Sequence, residues 1–199
     1  TLLDRLGERD RLRELLQAAE IDESDAFLLD LRAAAVELGV IPHNREEILW
    51  IRKLRQPEHE AFWSEAREAV KLLPESRRDG VEVRDIAVIV SAARHHPELL
   101  TASNAALYRE LERRLDDERH YSHGSNFGGS SSTKRDRLHD WRSELTWSDL
   151  AAMHLALDAM AVPQVAEHLF DYAERDRADE TTEYGGVLQL DHRGRYEVR

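Results

Sequence analysis

Residues 81–90, VEVRDIAVIV, decide whether this chain is a helical protein or one built around a β-sheet. The stretch is rich in β-branched residues, which favour strands. Ile86, Val90 and Ala93 nevertheless follow one another at helical spacing, and no partner strand is evident nearby in the sequence. We therefore expect a buried helix over residues 83–95, and not a strand.

Seven further helices are expected on either side of this stretch. Each combines apolar residues spaced three or four apart with a start or stop signal, such as Asn44 followed by Glu47, or Gly39 after a last apolar residue. Asp22 or Ser24 is expected to cap the second helix and Ser103 the helix after residue 103. The seven helices are predicted over residues 3–20, 24–38, 44–54, 57–73, 104–118, 148–160 and 163–177.

The side chains on the inner faces of these helices form the expected core. Their spacing predicts burial, because each repeats on one side of a 3.6-residue period. The expected core includes Phe27, Leu31, Trp50, Ile51, Phe62, Val70, Ile86, Val90, Leu107, Leu111, Leu155 and Phe170.

The last seventeen residues, EYGGVLQLDHRGRYEVR over 183–199, have a different pattern. Residues 187–190 and 195–198 are β-prone, and residues 191–194 form a turn signal, so a β-hairpin is predicted. Two strands alone are marginal in water. The expected fold class is therefore mainly α, an irregular domain of seven to nine helices with a C-terminal β-hairpin. A first residue other than Met and an end inside the hairpin suggest a fragment of a longer protein.

The domain organisation follows from one irregular segment, HYSHGSNFGGSSST over residues 120–133. We interpret it as an exposed, flexible Gly/Ser-rich loop, because it offers little apolar area. A phosphate-binding loop is the alternative, although the segment lacks GxxxxGK[ST] and no strand precedes it. Residues 1–119 are expected to form a helical domain that continues through 134–180, and residues 181–199 the hairpin, which could open a truncated second domain.

Composition and charge narrow the function classes. The 199 residues carry 28 Lys and Arg against 40 Asp and Glu, a formal net charge of −12, which disfavours a broad nucleic-acid interface. Cysteine is absent, so disulfides and thiol catalysis are excluded. No apolar run approaches the roughly 20 residues of a membrane span. We expect a cytoplasmic protein that binds another protein, with its oligomeric state open.

The ten histidines do not form a recognisable metal motif. His95 and His96 are adjacent and point to different faces, and the chain has no HxH or HExxH. His120 and His123 have helical ligand spacing but lie in the Gly/Ser-rich loop. His154 and His168 are isolated on two helices, where a hydrogen-bonded core histidine is expected. No GxSxG elbow is present either. We expect neither metal nor cofactor in this chain.

Residues Glu183, Gly185, Gly186, Val187 and Leu188 follow a helix and a polar linker. This arrangement, over residues 163–199, resembles the start of a JAB/MPN (JAMM-type) metalloprotease domain. The resemblance implies a zinc enzyme in which Glu183 is the general acid/base beside a zinc-bound water. The family's histidine pair and its following Ser and Asp are not in this chain, and Gln189 and the residues after it stand where a glycine is common.

Two functions therefore remain. The first is a non-catalytic helical scaffold or regulatory module that docks a partner through an apolar or arginine-bearing groove. The alternative is the N-terminal region of a JAB-like zinc metallopeptidase or isopeptidase whose metal ligands lie beyond Arg199. We favour the first for the chain as it stands, because it lacks the ligands that hydrolysis requires. By itself the chain is expected to have no enzymatic activity.

Overall fold

The computed structural model describes residues 9–17, 24–117, 138–179, 181, 186, 188–190 and 196–198. Their contacts divide the chain into two compact units, Thr1–Ala102 and Ser103–Arg199. Each unit is described by itself below. The domain boundaries expected from the sequence stay predictions, because compactness alone does not establish where independently folding domains end.

The described part of the first unit contains seven α-helices. They are α1 (Arg9–Gln17), α2 (Ala26–Ala33), α3 (Arg45–Leu54), α4 (Glu60–Lys71), α5 (Glu75–Arg78), α6 (Ile86–His95) and α7 (Glu98–Thr101). A π-helical turn, Ala34–Leu38, extends α2, and 3₁₀ turns at Pro57–His59 and Val83–Asp85 lead into α4 and α6. Helices α5 and α7 are single turns that the sequence analysis missed, so its count of seven to nine helices was too low.

The stretch that decides the fold is helical, as predicted. Val83–Asp85 forms the 3₁₀ turn, and Ile86–His95 forms α6. Ile86 and Ile89 are fully buried, and α6 packs against α4. The β-branched residues therefore pack in a helix, since burial on one face of a helix outweighs a weak preference for strands.

The helix ends follow the sequence signals with two changes. Gly39 ends the π-helical turn at φ 69°, a left-handed conformation that favours glycine. Asn44 caps α3, because its side-chain oxygen accepts from the Glu47 backbone amide at 2.9 Å. The Glu47 carboxylate accepts from the His43 backbone amide at 2.7 Å and from the Asn44 side-chain amide at 3.1 Å, in place of the Asn44 backbone amide of the expected capping box. Asp25 caps α2, which corrects the expectation of Asp22 or Ser24.

Polar contacts join the helices of the first unit. The Trp63 indole donates to the Glu37 carboxylate at 2.9 Å, and the Arg55 guanidinium lies 4.9 Å from the centroid of the Trp63 ring. Arg77 donates to the carbonyls of Leu100 and Ala102, so its guanidinium caps the C-terminal end of α7. Burial lowers the pKa of this guanidinium. The Arg77 contacts join the short α5 to α7.

The second unit contains three α-helices in its described part. They are α8 (Asn104–Asp117), α9 (Trp147–Met160) and α10 (Pro163–Ala178), with a 3₁₀ turn at Leu138–Trp141. Ser103 accepts from the Ala106 amide at 3.2 Å, as expected for the cap of α8. Thr146 and Asp149 form a reciprocal capping box at the start of α9. Helix α9 packs against both α8 and α10.

The C-terminal β-hairpin is the part of the expected fold class that is corrected. The described fold is helical, in ten α-helices, and no described core residue lies in a strand. Extended pairing is limited to two three-residue segments, β1 (Leu188–Leu190) and β2 (Tyr196–Val198), aligned antiparallel. The expected turn over 191–194 lies outside the described residues. Three residue pairs provide too few contacts to count as an element of the fold, so the mainly helical class stands without a hairpin.

Most of the expected core is buried. Eight of the twelve residues are buried, and they are Leu31, Ile51, Val70, Ile86, Val90, Leu107, Leu111 and Leu155. Trp50 and Phe62 are half-buried, with their rings edge to face at 6.3 Å. Phe27 and Phe170 are exposed, so these two predictions were wrong. Within the described residues, no helix combines the length and the apolar character needed to cross a bilayer.

Candidate protein-binding surface

Helix α10 exposes most of its surface. It begins with Pro163 at the first helical position, where a missing amide costs nothing, and runs for 16 residues. Val165 is its one buried residue. Leu169 is 45% exposed and Phe170 is 73% exposed, which makes Phe170 the most exposed large apolar side chain in the described part of the protein. The helix contacts α9 and β2, and it keeps an apolar side that the described residues of its unit do not cover.

The exposed apolar residues of α10, together with the half-buried Ala166, form one continuous band. We call Ala166, Leu169, Phe170 and Ala173 the apolar stripe. Residues three or four apart lie on the same face of a helix, so Ala166 and Ala173 adjoin the two large side chains between them. The stripe has large side chains at its centre and small ones at its ends. A contiguous exposed apolar patch of this kind makes the stripe a candidate binding surface.

Charged side chains surround the stripe and hold the helix together. Arg175 pairs with Asp171 at 2.7 Å, and Arg177 pairs with Glu174 at 2.6 Å. Such exposed pairs within a helix contribute a few tenths of a kcal/mol each. Glu167 lies one helical turn before Asp171, and no ion pair to it occurs among the described residues. The helix is thus stabilised by local pairs while its stripe stays open.

A largely enclosed polar network fixes α9, the helix on which α10 rests. The His154 ring is 4% exposed, and its Nε2 lies 3.0 Å from the Leu107 carbonyl oxygen. A carbonyl only accepts, so Nε2 carries the proton, and Nδ1 accepts from Arg114 at 3.3 Å. The Arg114 guanidinium also donates to the Asp158 carboxylate at 2.6 Å. The network joins α8 to α9, and it confirms the expectation that His154 is a hydrogen-bonded core residue.

Tyr108 extends the polar contacts of α8. Its side chain is buried, and the Arg142 guanidinium lies 4.9 Å from the centroid of its ring. Burial raises the pKa of the Tyr108 phenol, and the neighbouring Glu112 carboxylate raises it further. The Tyr108 phenol stays neutral, and the arginine packs on the face of its ring. We therefore infer that this contact stabilises the second unit.

The other histidines take separate positions. His168, expected in the core, is exposed on α10, where its Nδ1 lies 2.7 Å from the Gln164 carbonyl oxygen. His95 is half-buried at the end of α6, and burial, followed by His96 and Arg94, lowers the pKa of its imidazole. Among the described residues, no three His, Asp or Glu side chains are grouped in a way that could hold a metal ion.

The remaining residues singled out from the sequence lie outside the described part of the chain. These are Glu183, the candidate general acid/base, together with His120, His123 and the whole Gly/Ser-rich loop over residues 120–133. The role of Glu183, the zinc implied with it and the flexibility of the loop stay predictions.

Comparisons with known proteins do not assign a family. The chain matches no protein-family model, no curated protein and no solved structure. The functional proposal below therefore depends on the described surface alone.

The stripe was visible in the sequence, but its exposure was not. Val165, Ala166, Leu169, Phe170 and Ala173 follow one another at helical spacing, which predicts a face directed to the core. In the structure only the Val165 edge of this face is buried.

Proposed function

We propose that this chain is a non-catalytic helical interaction module that binds a protein partner through the apolar stripe of α10. The observation that carries the proposal is the exposure of Phe170, next to a half-exposed Leu169, on a helix that buries one residue. Large aromatic side chains at the centre of an interface provide much of its binding energy. An exposed Phe on a rigid helix is a suitable anchor for a groove on a partner.

Covering Phe170 would contribute a useful part of the binding free energy. A phenylalanine buries about 200 Å² when fully covered. With 73% of the side chain exposed, a partner could remove about 150 Å² from water. Burying a whole phenylalanine contributes about 1.5 to 3 kcal/mol, so covering this exposed part contributes roughly 1 to 2 kcal/mol. Leu169, at 45% exposure, adds about 1 kcal/mol. These two residues would form the energetic centre of the interface.

The first test compares two single substitutions that introduce the same charge on exposed apolar residues. Phe170→Asp removes the anchor, and Leu72→Asp is the matched control, because Leu72 is 53% exposed at the end of α4 in the other unit. Neither substitution touches the core, so each should change the free energy of unfolding by less than about 0.5 kcal/mol. Thermal unfolding of both variants checks this before any binding is measured.

Binding is then measured by affinity capture from a lysate of the source organism. A protein that co-purifies with the unsubstituted chain and with Leu72→Asp, but is lost with Phe170→Asp, supports the proposal. Capture that is equal for all three chains would show that the stripe is not the binding surface. Capture that both substitutions abolish would point to non-specific adhesion and would also contradict the proposal.

A further inference from the structure

The stripe of α10 is close to symmetric about its centre. Reading along the helix, its side chains are small, large, large and small, in the order Ala166, Leu169, Phe170 and Ala173. Two copies packed antiparallel would place Leu169 of one against Phe170 of the other, and Ala166 against Ala173. Interfaces between two copies of a chain are usually two-fold symmetric in this way. Shape alone therefore permits a dimer through α10.

Charge opposes that dimer. Glu167 and Glu174 are seven residues apart, so they lie on the same flank of the stripe. In the antiparallel arrangement, Glu167 of one copy lies beside Glu174 of the other, offset by two residues or about 3 Å along the axis. The contact occurs twice because of the symmetry. Glu174 already pairs with Arg177, whereas Glu167 has no ion pair among the described residues.

The size of the stripe makes this repulsion decisive. A stable interface buries about 800 Å² on each partner. Phe170 and Leu169 together expose only about a quarter of that area, from the fractions given above. A dimer formed by α10 alone would be weak, so two like-charge contacts would suppress it. A partner with Lys or Arg at those flanking positions would instead form two attractive contacts.

We infer that the partner of α10 presents an apolar surface flanked by basic side chains, and that Glu167 and Glu174 prevent α10 from pairing with a second copy of this chain. The inference rests on the proposed function and specifies its partner class. The shared feature of such partners is charge, so binding should weaken as salt screens the exposed pairs.

Sedimentation of the full chain tests the like-charge contacts. Glu167→Lys replaces two repulsive contacts with two attractive ones and keeps the pair between Glu174 and Arg177. We expect the unsubstituted chain to be monomeric and the Glu167→Lys chain to self-associate roughly 10- to 50-fold more tightly. Glu144→Lys, an exposed substitution of equal charge in the same unit, should remain monomeric. Equal self-association of the unsubstituted and Glu167→Lys chains, or none in either, would overturn the inference.

A peptide tests the basic flank directly. The probe is a labelled 16-residue copy of α10 that carries Glu167→Lys and Glu174→Lys, and the control is the same peptide with its natural sequence. Fluorescence anisotropy should show that the full chain binds the lysine peptide at least tenfold more tightly.

The outcomes separate the inference from the proposed function. Equal binding of the two peptides, or binding of neither, would overturn the inference and leave the stripe as a docking surface. Tight binding of the lysine peptide that Phe170→Asp does not weaken would show charge attraction without a docked apolar surface. That last result would contradict the proposed function as well.

Discussion

Replacing Asp158 with Ala should destabilise the second unit far more than removing a similar carboxylate from the surface. Asp158 accepts from Arg114 at 2.6 Å, and the side chains of the two residues are 28% and 17% exposed. Asp171 accepts from Arg175 at 2.7 Å, with side chains 52% and 55% exposed. The two pairs have the same chemistry and nearly the same length, but the first is more enclosed and joins two helices, whereas the second is exposed within one helix.

The loss of unfolding free energy depends on how enclosed the arginine is that each substitution leaves without its carboxylate. Without Asp158, the Arg114 guanidinium stays largely enclosed and loses its carboxylate partner, although its contact with His154 remains. Hydrogen bonds to charged groups contribute about 1.5 to 3 kcal/mol, and breaking a fully buried pair costs about 3 to 5 kcal/mol. Because the pair is partly exposed, we expect Asp158→Ala to lower the free energy of unfolding by about 2 kcal/mol, within the first of these ranges. Asp171→Ala should cost about 0.3 kcal/mol.

Amide hydrogen exchange, read helix by helix, measures this effect in the second unit. A loss of about 2 kcal/mol should accelerate exchange in α8 and α9 roughly 30-fold. Exchange in α4 and α6 of the first unit serves as the internal reference. Equal effects of Asp158→Ala and Asp171→Ala on α8 and α9 would refute the claim that enclosure makes the Arg114 pair important.

Three further predictions concern the first unit. Gly39→Ala should lower the free energy of unfolding, measured with denaturant, by about 1 kcal/mol, because alanine is strained at φ 69°. Gly80 has similar space around it and no positive φ, so Gly80→Ala should not lower the free energy of unfolding in this way. Arg77→Met should cost about 1 to 2 kcal/mol and loosen α7 in hydrogen exchange, since two carbonyls lose their donor. His95 has a lowered pKa when folded, so the unfolded chain binds its proton more readily and stability should fall as pH drops through the usual titration range of histidine. His95→Gln should flatten the dependence of the unfolding midpoint on pH, and the same substitution at the exposed His139 should not.

Local signals in the sequence predicted much of the helical fold. Helix α6 could be predicted because Ile86 and Val90 keep a helical period despite their branched side chains. Gly39, Asn44 and Ser103 marked helix ends because each satisfies backbone groups within a few residues. Helix periodicity and helix ends depend on residues that are neighbours along the chain, and a sequence shows these neighbours directly.

Features that depend on distant residues could not be predicted. The single-turn helix α7 exists next to Arg77, which lies more than twenty residues earlier in the chain. The network of His154, Arg114 and Asp158 likewise joins residues on two helices. Phe170 has the spacing of a core residue, and only the positions of neighbouring helices determine that it is exposed. The candidate surface was therefore found from the exposure of its side chains in the structure and not from their spacing in the sequence.

Site-specific photo-crosslinking at residue 170 tests the central claim most directly. A photoreactive phenylalanine analogue fits this position because the side chain is exposed and aromatic, and the same analogue at Leu72 is the control. We expect a discrete adduct from position 170 with one protein partner that is not a second copy of this chain, and no adduct from position 72. Adducts that are equal from both positions, or absent from position 170 while a captured partner is bound, would contradict the claim that α10 is the docking helix.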